Sequence, residues 1–459
     1  MRLSALLKLA MGSGAAVLGL AVAPATMASA SPATFVPCSS GAAGLIAAIA
    51  AANVAGGTVN LASGCTYSLT APNNTPSAMI GGNGLPIVTS QITINGLHST
   101  IAGNPASAKP FRIFEVAPTG NLILQGLTLT GGVGTLGGAI VNNGGTLTLN
   151  DSQVTGNTAV QGGGGIASGD LGKSTALLGT LTLNSSQVNN NTSTGGPGGG
   201  IADKSGTVVL NLSSVNGNSS GAGASAGGIA NIGGALSLNF SQVNDNTAQG
   251  GGGGIANGNG AGGVTPPPLG TLKLFFSQVN NNTSNGGPMD GAGGIANGGI
   301  ATITLSQVNG NTAPGSSGGG ILNHGTMTIT ASQVNTNTAP SDSKGDLGSG
   351  GGIANLDFAD IVSPPPPTPS GVLTINLSQV SNNSASGLGG GIIESDATET
   401  TPGNTLALNG SLVTGNSAPG GGGGIYAIAD SPVTLKFTLV AKNTPNNCEP
   451  LNAIGGCLN

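Results

Sequence analysis

Carboxylates are scarce in this chain, and six of its 15 lie close together near the C-terminal end. They are Asp357, Asp360, Glu394, Asp396, Glu399 and Asp430. Oxygen ligands of this type suit calcium, and paired carboxylates hydrolyse glycosidic bonds. The chain contains no D-x-D-x-D-G loop, so three interpretations stay open. The carboxylates are loop charges that keep the protein solvated, which we favour, or a calcium or sugar site, or a catalytic site.

A polysaccharide lyase would need an Arg or Lys base beside a cation. The only arginine beyond residue 30 is Arg112, in the stretch KPFRIFEV, where Lys109 and Glu115 are its charged neighbours. We expect this cluster to lie on the surface of the protein rather than to act as a base. The sequence therefore gives no catalytic residue, and calcium is the only cofactor that it suggests.

The composition excludes several classes of protein. The 459 residues include 86 glycines, 5% charged residues, 2% aromatic residues and no tryptophan. Large aromatic side chains therefore cannot build the core. The net charge of −5 and the few basic residues leave no stripe that could bind phosphates, which argues against a nucleic-acid partner.

The N-terminus has the pattern of an export signal. Arg2 and Lys8 precede the apolar stretch MGSGAAVLGLAVA, and Ala28–Ala30 fits a small-residue cleavage site. We predict a signal peptide over residues 1–30 and no transmembrane segment in the mature chain. Four cysteines follow, two near each end of that chain: Cys38, Cys65, Cys448 and Cys457. In an oxidising compartment they predict one disulfide at each end.

A repeat fills the chain between these ends. Its first anchor is the pattern V-x-x-N, whose valines are Val154, Val188, Val215, Val243, Val279, Val308, Val334, Val380, Val413 and Val440. Its second anchor is an isoleucine after glycines: Ile140, Ile166, Ile201, Ile229, Ile255, Ile295, Ile321, Ile353, Ile392 and Ile425. A stretch such as TLTLN or ALSLN lies between the two anchors.

Each repeat thus has three short extended pieces, G-G-I-A-N, T-L-T-L-N and S-Q-V-x-x-N-T-A. Alternating apolar residues separated by Gly, Asn and Ser indicate half-buried strands and tight turns. Since one repeat buries little apolar surface, neighbouring repeats must stack. This pattern predicts an all-β, right-handed parallel β-helix with three strands per coil and about ten or more coils.

The predicted domains follow from this architecture. Residues 31–70 form an N-terminal cap, 71–445 the β-helix and 446–459 a C-terminal cap. Within the first cap, residues 41–54 carry apolar side chains at helical spacing, which predicts a short helix over the open first coil. The asparagine of V-x-x-N is expected at a turn, in a left-handed conformation, stacked on its equivalents as a hydrogen-bonded ladder.

The motifs resemble a known family. Gly137-Gly138-Ala139-Ile140 and Val154-Thr155-Gly156-Asn157 are similar to the G-G-A-I and F-x-x-N hallmarks of the polymorphic outer membrane protein repeat. The resemblance covers roughly residues 120–445, with Val in place of the family's Phe. It implies a pectate-lyase-like fold but no membrane anchor, because the C-terminal barrel of such surface proteins has no counterpart here.

Insertions locate the surface on which we expect function. The interval from the isoleucine to the next valine is short at Ile140–Val154 but long at Ile166–Val188, Ile255–Val279, Ile353–Val380 and Ile392–Val413. The loops therefore decorate one corner, which is typical of a binding face.

From these observations we expect a secreted, non-catalytic monomer that works in adhesion, interaction or carbohydrate binding. Its partner would be a glycan or a protein of the extracellular space or cell surface. The alternative is a polysaccharide lyase or glycoside hydrolase acting at the insertion corner.

Overall fold

A computed structural model describes residues 33–76, 81–170, 178–222, 224–258, 269–286, 291–356, 371–395, 404–428, 431–450 and 454–458. The chain divides into two units, Met1–Ser31 and Pro32–Asn459. The first unit, and with it the predicted signal peptide, lies outside the described residues. All described residues belong to the second unit.

The second unit is a parallel β-helix, which confirms the predicted fold class. Short strands pair in parallel with their equivalents in the next coil, in four rows. We name these rows the Leu face (T-L-T-L-N), the Val face (Q-V-x), the Thr face (T-A) and the Ile face (I-A-N). The Leu and Val faces together form one 25-stranded sheet, and the Ile face forms a 12-stranded sheet.

Two rows share the large sheet. The Leu-face strands are Ala33–Val36, Gly57–Leu61, Thr146–Asn150, Thr180–Asn184, Thr207–Asn211, Ala235–Asn239, Thr271–Phe275, Ile300–Thr304, Thr326–Thr330, Val372–Asn376, Thr405–Asn409 and Val433–Lys436. The Val-face strands are Thr66–Ser68, Gln153–Thr155, Gln187–Asn189, Ser214–Asn216, Gln242–Asn244, Gln278–Asn280, Gln307–Asn309, Gln333–Asn335, Gln379–Ser381, Leu412–Thr414 and Leu439–Ala441. Two early strands, Gln91–Ala102 and Asn121–Thr130, run across both faces.

The other two rows complete each coil. The Ile-face strands are Phe114–Val116, Ile140–Asn142, Ile166–Gly169, Ile201–Lys204, Ile229–Ile232, Ile255–Gly258, Ile295–Asn297, Ile321–Asn323, Ile353–Leu356, Ile392–Ser395, Ile425–Ala427 and Cys448–Glu449. The Thr-face strands are Val133–Gly134, Thr158–Ala159, Thr192–Ser193, Ser219–Ala222, Thr247–Gln249, Thr283–Ser284, Thr338–Ala339 and Ser384–Ala385. Two further pairs are Gly82–Asn83 with Phe111–Arg112, and Gly251–Gly252 with Gly291–Ala292.

The third piece of the predicted repeat is two strands rather than one. S-Q-V-x-x-N-T-A bends between the Val and Thr faces, as in Gln187–Asn189 followed by Thr192–Ser193. The bend occurs because the residue before the asparagine has a positive φ, such as Asn190 at 54°. That conformation turns the chain from one face to the next.

The core consists of stacked aliphatic columns. All ten repeat isoleucines are fully buried, and the ten repeat valines are at most 6% exposed. Equivalent residues pair in register, so that Leu147 lies beside Leu181 and Val154 beside Val188. Burial of each such side chain contributes roughly 1.5–3 kcal/mol. These columns hold the repeat coils together, and the buried aromatic side chains Tyr67, Phe111 and Phe114 lie in the coils that precede the repeats, where composition alone did not predict them.

The N-terminal end is covered by a helix, as predicted. A short 3₁₀ turn, Cys38–Ser40, leads into the α-helix Gly41–Ala55. Among the described residues it is the one helical segment long and apolar enough to cross a membrane. In this protein, however, Leu45 and Ile49 are fully buried in the core of the first coils. Asn53 further ties the helix to the first coils, because its Nδ2 donates to the Ile87 carbonyl at 2.7 Å.

Disulfides lie at both ends. Cys38 bonds to Cys65 with a Cα–Cα distance of 5.6 Å, and Cys448 bonds to Cys457 with 6.4 Å. The predicted arrangement of one disulfide per end is thereby confirmed. The first links the helical cap to the first coils, and the second ties the C-terminal segment to the last Ile-face strand.

Candidate functional site

The predicted acidic cluster lies mostly outside the described residues. Asp357, Asp360, Asp396, Glu399 and Asp430 all do. In the sequence they lie after an Ile-face strand and before the next Leu-face strand, and their grouping stays a prediction. Glu394 is described, and it is not a solvated loop charge: it sits fully buried within the Ile-face strand Ile392–Ser395. Its Oε2 accepts a hydrogen bond from Asn355 Nδ2 at 2.8 Å.

Within the described ranges, no three His, Cys, Asp or Glu side chains come together in a way that could hold a metal ion.

Arg112 is also placed differently from the expectation. Its side chain is fully buried instead of exposed on an early coil. Nη1 donates to Asn83 Oδ1 at 2.8 Å and lies 3.8 Å from Glu115 Oε2, while Nε donates to the Leu136 carbonyl at 3.2 Å. Burial lowers the pKa of Arg112 to about 10, against the opposing charge of Glu115. Arg112 is thus a buried structural cation.

The asparagines of V-x-x-N form the predicted ladder. Asn157, Asn191, Asn218 and their equivalents are buried, and each Nδ2 donates to the Oδ1 of the next coil at 2.9–3.1 Å. The left-handed residue is not this asparagine but the one before it: Gly156, Asn190, Gly217, Asp245, Asn281, Gly310, Thr336, Asn382, Gly415 and Lys442. The turn needs the positive φ there so that the next side chain points inward.

A second buried ladder follows the Ile face. Asn231, Asn257, Asn297, Asn323 and Asn355 each donate through Nδ2 to the side-chain oxygen of the next coil at 2.7–2.8 Å. The last acceptor is the carboxylate of Glu394. This ladder fills the space in front of the glycines that immediately precede the Leu-face strands. A Cβ on Gly299 would lie 3.0 Å from Asn257 Nδ2, for example.

The corner between the Leu and Val faces carries the most unusual surface. One residue per coil turns this corner, and we call these residues the corner row. Leu97, Asp151, Ser185, Leu212, Phe240, Phe276, Leu305, Ala331, Leu377 and Phe437 have φ between 45° and 51°, and Gly126 and Gly410 occupy the row in two other coils. Positive φ disfavours bulky side chains by about 1–2 kcal/mol each, yet most members of the row are Leu or Phe.

These bulky side chains face solvent. Leu212 is 68% exposed, Phe240 53%, Leu377 70% and Phe437 100%. Phe275 adds a ring beside the row, at the position where the preceding coil has Asn239. Phe240 stacks on Phe276 with ring centroids 5.2 Å apart, and Phe275 meets Phe276 edge-on at 4.7 Å.

Two grooves lie along the same corner. Near the N-terminal end, a groove of about 790 Å³ is lined by Phe35, Leu97, His98 and Asp151 together with the side-chain amide of Asn95. Phe35 is 63% exposed and pairs with Asn60 on the Leu face. A smaller groove of about 170 Å³ is lined by Gln187, Leu212, Ser214, Phe240 and Gln242. Every exposed phenylalanine within the described ranges therefore lies at this corner.

The corner combines exposed apolar side chains with uncharged polar ones. Between Ser185 and Leu377 the corner row has no ionisable side chain, and the amides and hydroxyls beside it can exchange hydrogen bonds. The sequence does carry a signal for this row, namely an apolar residue just before the S-Q-V piece. It appears in NFSQV, FFSQV, TLSQV and NLSQV.

The chain matches no protein-family model and no curated protein sequence.

Proposed function

We propose that this chain is an exported, non-catalytic β-helix protein that binds a neutral polysaccharide along the corner row. The observation that carries the proposal is the row of exposed Leu and Phe side chains held at positive φ. A soluble protein gains no stability from such a row, because the backbone is strained and the side chains remain in water. A ligand that covers the rings would account for both features.

The chemistry of the corner favours a sugar chain. Ring faces stack on apolar surfaces, and amides and hydroxyls placed beside them give orientation through hydrogen bonds. Gln187, Ser214 and Gln242 take that position beside Leu212 and Phe240. Since this part of the row has no charge, an uncharged glycan suits it better than a uronan. The repetition from coil to coil suits an extended ligand.

Export is supported by two observations. The N-terminal residues have the pattern of a signal peptide, and all four cysteines form disulfides, which persist in oxidising compartments. The resemblance to the polymorphic outer membrane protein repeat, through Gly137–Ile140 and Val154–Asn157, agrees with a role outside the cell. These observations support our proposal that the protein works in the extracellular space or at the cell surface.

Substitutions borrowed from neighbouring coils test the proposal. In the triple variant Phe240→Ser, Phe275→Asn and Phe276→Ser, each position takes a residue that the row or the Leu face already has elsewhere, as in Ser185 and Asn239. We expect the variant to fold and to bind neutral polysaccharides, presented as a panel of glucans, mannans and xylans, at least tenfold more weakly than the wild type. The loss follows from removal of stacking worth about 0.5–1.5 kcal/mol per ring.

Val160→Ser is the matched control, since Val160 is 52% exposed but lies away from the corner; its binding should be unchanged. Equal binding by the triple variant, or no binding of any neutral glycan by the wild type, would contradict the proposal. New reducing ends or unsaturated products in the same incubations would instead favour the hydrolase or lyase alternative.

A further inference from the structure

The hydrogen bonds of the Ile-face ladder all run in one direction, and the first asparagine of the ladder has an acceptor oxygen without a donor. From Asn231 to Asn355, each amide nitrogen donates to the coil that follows. Asn257, Asn297, Asn323 and Asn355 each accept one of these hydrogen bonds through Oδ1. Asn231 Oδ1 itself is buried and receives no hydrogen bond from any described residue. A buried acceptor without a donor is costly, so the coil before Asn231 should supply one.

The residue in register in that coil is Asp203. It pairs with Asn231 across strands Ile201–Lys204 and Ile229–Ile232 and is fully buried. Its Oδ2 accepts the backbone N–H of Gly206 at 3.1 Å, and its Oδ1 has no partner among the described residues. Asp203 Oδ2 and Asn231 Oδ1 both lie within 2.8 Å of the point that a Cβ of Gly234 would take. Two acceptor oxygens thus lie near the same point, where the ladder needs a donor.

We propose that Asp203 is a neutral carboxylic acid in the folded protein and donates its proton to Asn231 Oδ1. A protonated carboxyl group has one O–H donor and can still accept the Gly206 N–H. The ladder then starts at a protonated acid and ends at Glu394 Oε2, which accepts from Asn355 Nδ2. No oxygen of Asn231, Asn257, Asn297, Asn323 or Asn355 is left without a donor.

The surroundings of Asp203 agree with this state. Burial raises the pKa of Asp203 from its ordinary value of 3.8 to about 7, and the Gly206 N–H opposes that rise only in part. Among the described residues, the titratable groups on the elements packed against it are Lys204, next in the strand, and Asp170, whose N–H donates to the Lys204 carbonyl. The paired strands Ile166–Gly169 and Ile229–Ile232 contribute no others.

The proposal makes Asp203 a pH-sensitive element of the core. The folded state holds a proton that the unfolded chain releases above pH 3.8, so stability falls as the pH rises from there to about 7 and is then level. Above that range a buried carboxylate faces Asn231 Oδ1, and the coils around residues 201–234 should open more readily than the rest.

Asp203→Asn provides the test, because an amide keeps the shape and supplies a permanent N–H donor. We expect the guanidinium midpoint of the wild type to fall with rising pH over this range, and that of Asp203→Asn to lose the fall. Asp245→Asn, the same charge change at an exposed site, should keep the wild-type profile. Infrared spectra with ¹³C-labelled aspartate, recorded between about pH 5 and 6, where ordinary aspartates are ionised, should show a protonated carboxyl that is missing in Asp203→Asn.

Three results would overturn the proposal. A wild-type spectrum without a protonated carboxyl, or an Asp203→Asn variant with the wild-type pH profile, would overturn the proposal. So would a loss of wild-type stability on addition of a chelator, since that result would place a cation between the two oxygens. The protonation state of Asp203 is independent of whether the corner row binds polysaccharide, so a failure of that binding would leave this proposal standing.

Discussion

Two consecutive residues form the turn after the Val face, and they differ in burial. The first is mostly exposed, whereas the second is the buried asparagine of V-x-x-N. At the turn after the Val face, the exposed residue of V-x-x-N varies among Gly, Asn, Asp, Thr and Lys, as Gly156, Asn281 and Lys442 illustrate. The buried asparagine that follows does not vary, because it satisfies backbone groups that no other side chain of this size could reach. Asn282, for example, donates to the Val243 carbonyl at 2.8 Å and accepts the Asn246 backbone N–H at 2.9 Å.

Asn282→Ala should therefore destabilise the protein by about 3–5 kcal/mol, since it leaves two donors of Asn246 without an acceptor inside the core. Guanidinium unfolding monitored by circular dichroism measures the loss. Gln242→Ala removes an exposed amide from the Val face and should change stability by less than about 0.5 kcal/mol. Equal effects of the two substitutions would show that the ladder contributes little.

In the corner row, by contrast, we expect a substitution to increase the stability of the protein. Leu212→Gly should stabilise the protein by about 0.5–1 kcal/mol, because relief of the positive φ, about 1–2 kcal/mol, exceeds the added backbone entropy of glycine. The same variant should bind polysaccharide more weakly if Leu212 contacts the ligand. Leu212→Ala, which keeps the strain, should show no gain in unfolding midpoint. A destabilised Leu212→Gly would mean that the leucine contributes packing that its 68% exposure hides.

At the scale of strands, the close approach of the Ile-face ladder to the Leu face explains why glycine immediately precedes several Leu-face strands. Gly299→Ala would place a methyl group against the Gly270 carbonyl and Asn257 Nδ2 and should cost about 2–3 kcal/mol. Gly258→Ala is the matched control, since nothing lies within 4 Å of its new Cβ. Thermal unfolding of the two variants should differ by several degrees. If both are tolerated alike, the ladder can move aside.

The positions of the strands were largely predictable from the sequence, but the burial of two ionisable side chains was not. The spacing of Ile140, Val154 and their equivalents predicts the coils, the buried columns and the first ladder, because periodicity reports directly on which side chains face inward. Burial of Arg112 and Glu394 was not predictable in this way. Both are charged residues at positions that the strand pattern turns inward, and only a buried partner such as Asn83 or Asn355 makes that tolerable.

The corner row escaped prediction for a related reason. Exposed apolar residues look like core residues in a sequence, and the positive φ that turns Phe240 and Phe276 outward is visible only in the backbone. A turn position with Leu or Phe in place of Gly or Asn is the feature that would have revealed them. The remaining acidic candidates lie outside the described residues, so their role stays a prediction.

At the scale of the molecule, each coil contacts only its neighbours, so stability is close to a sum over coils and their interfaces. The ends lack one neighbour and are held by disulfides. Loop-closure entropy predicts about 3.5 kcal/mol for Cys38–Cys65, with a separation of 27 residues, and about 2.5 kcal/mol for Cys448–Cys457, with a separation of 9.

Paired Cys→Ser variants should show this locally. With Cys448 and Cys457 replaced, we expect amide exchange to accelerate in strands Ile425–Ala427 and Leu439–Ala441 while Gln278–Asn280 keeps its protection. Replacement of Cys38 and Cys65 should accelerate amide exchange in the N-terminal coils. The acceleration should be larger there, because this disulfide contributes more stability. Uniform acceleration along the chain would contradict a sum over neighbours and indicate one cooperative unit.

The single direction of the V-x-x-N ladder bears on how such a chain can change in length. Each coil that carries this buried asparagine offers a donor to the coil after it and an acceptor to the coil before it, so any two such coils match. The identical segments Ser186–Ser193 and Ser277–Ser284 occupy equivalent places in two different coils. A gene that duplicates or deletes one whole coil thus creates a junction with the same bonds as the old one. The length of the β-helix can therefore change in steps of one coil, whereas each disulfide-bonded end is needed only once.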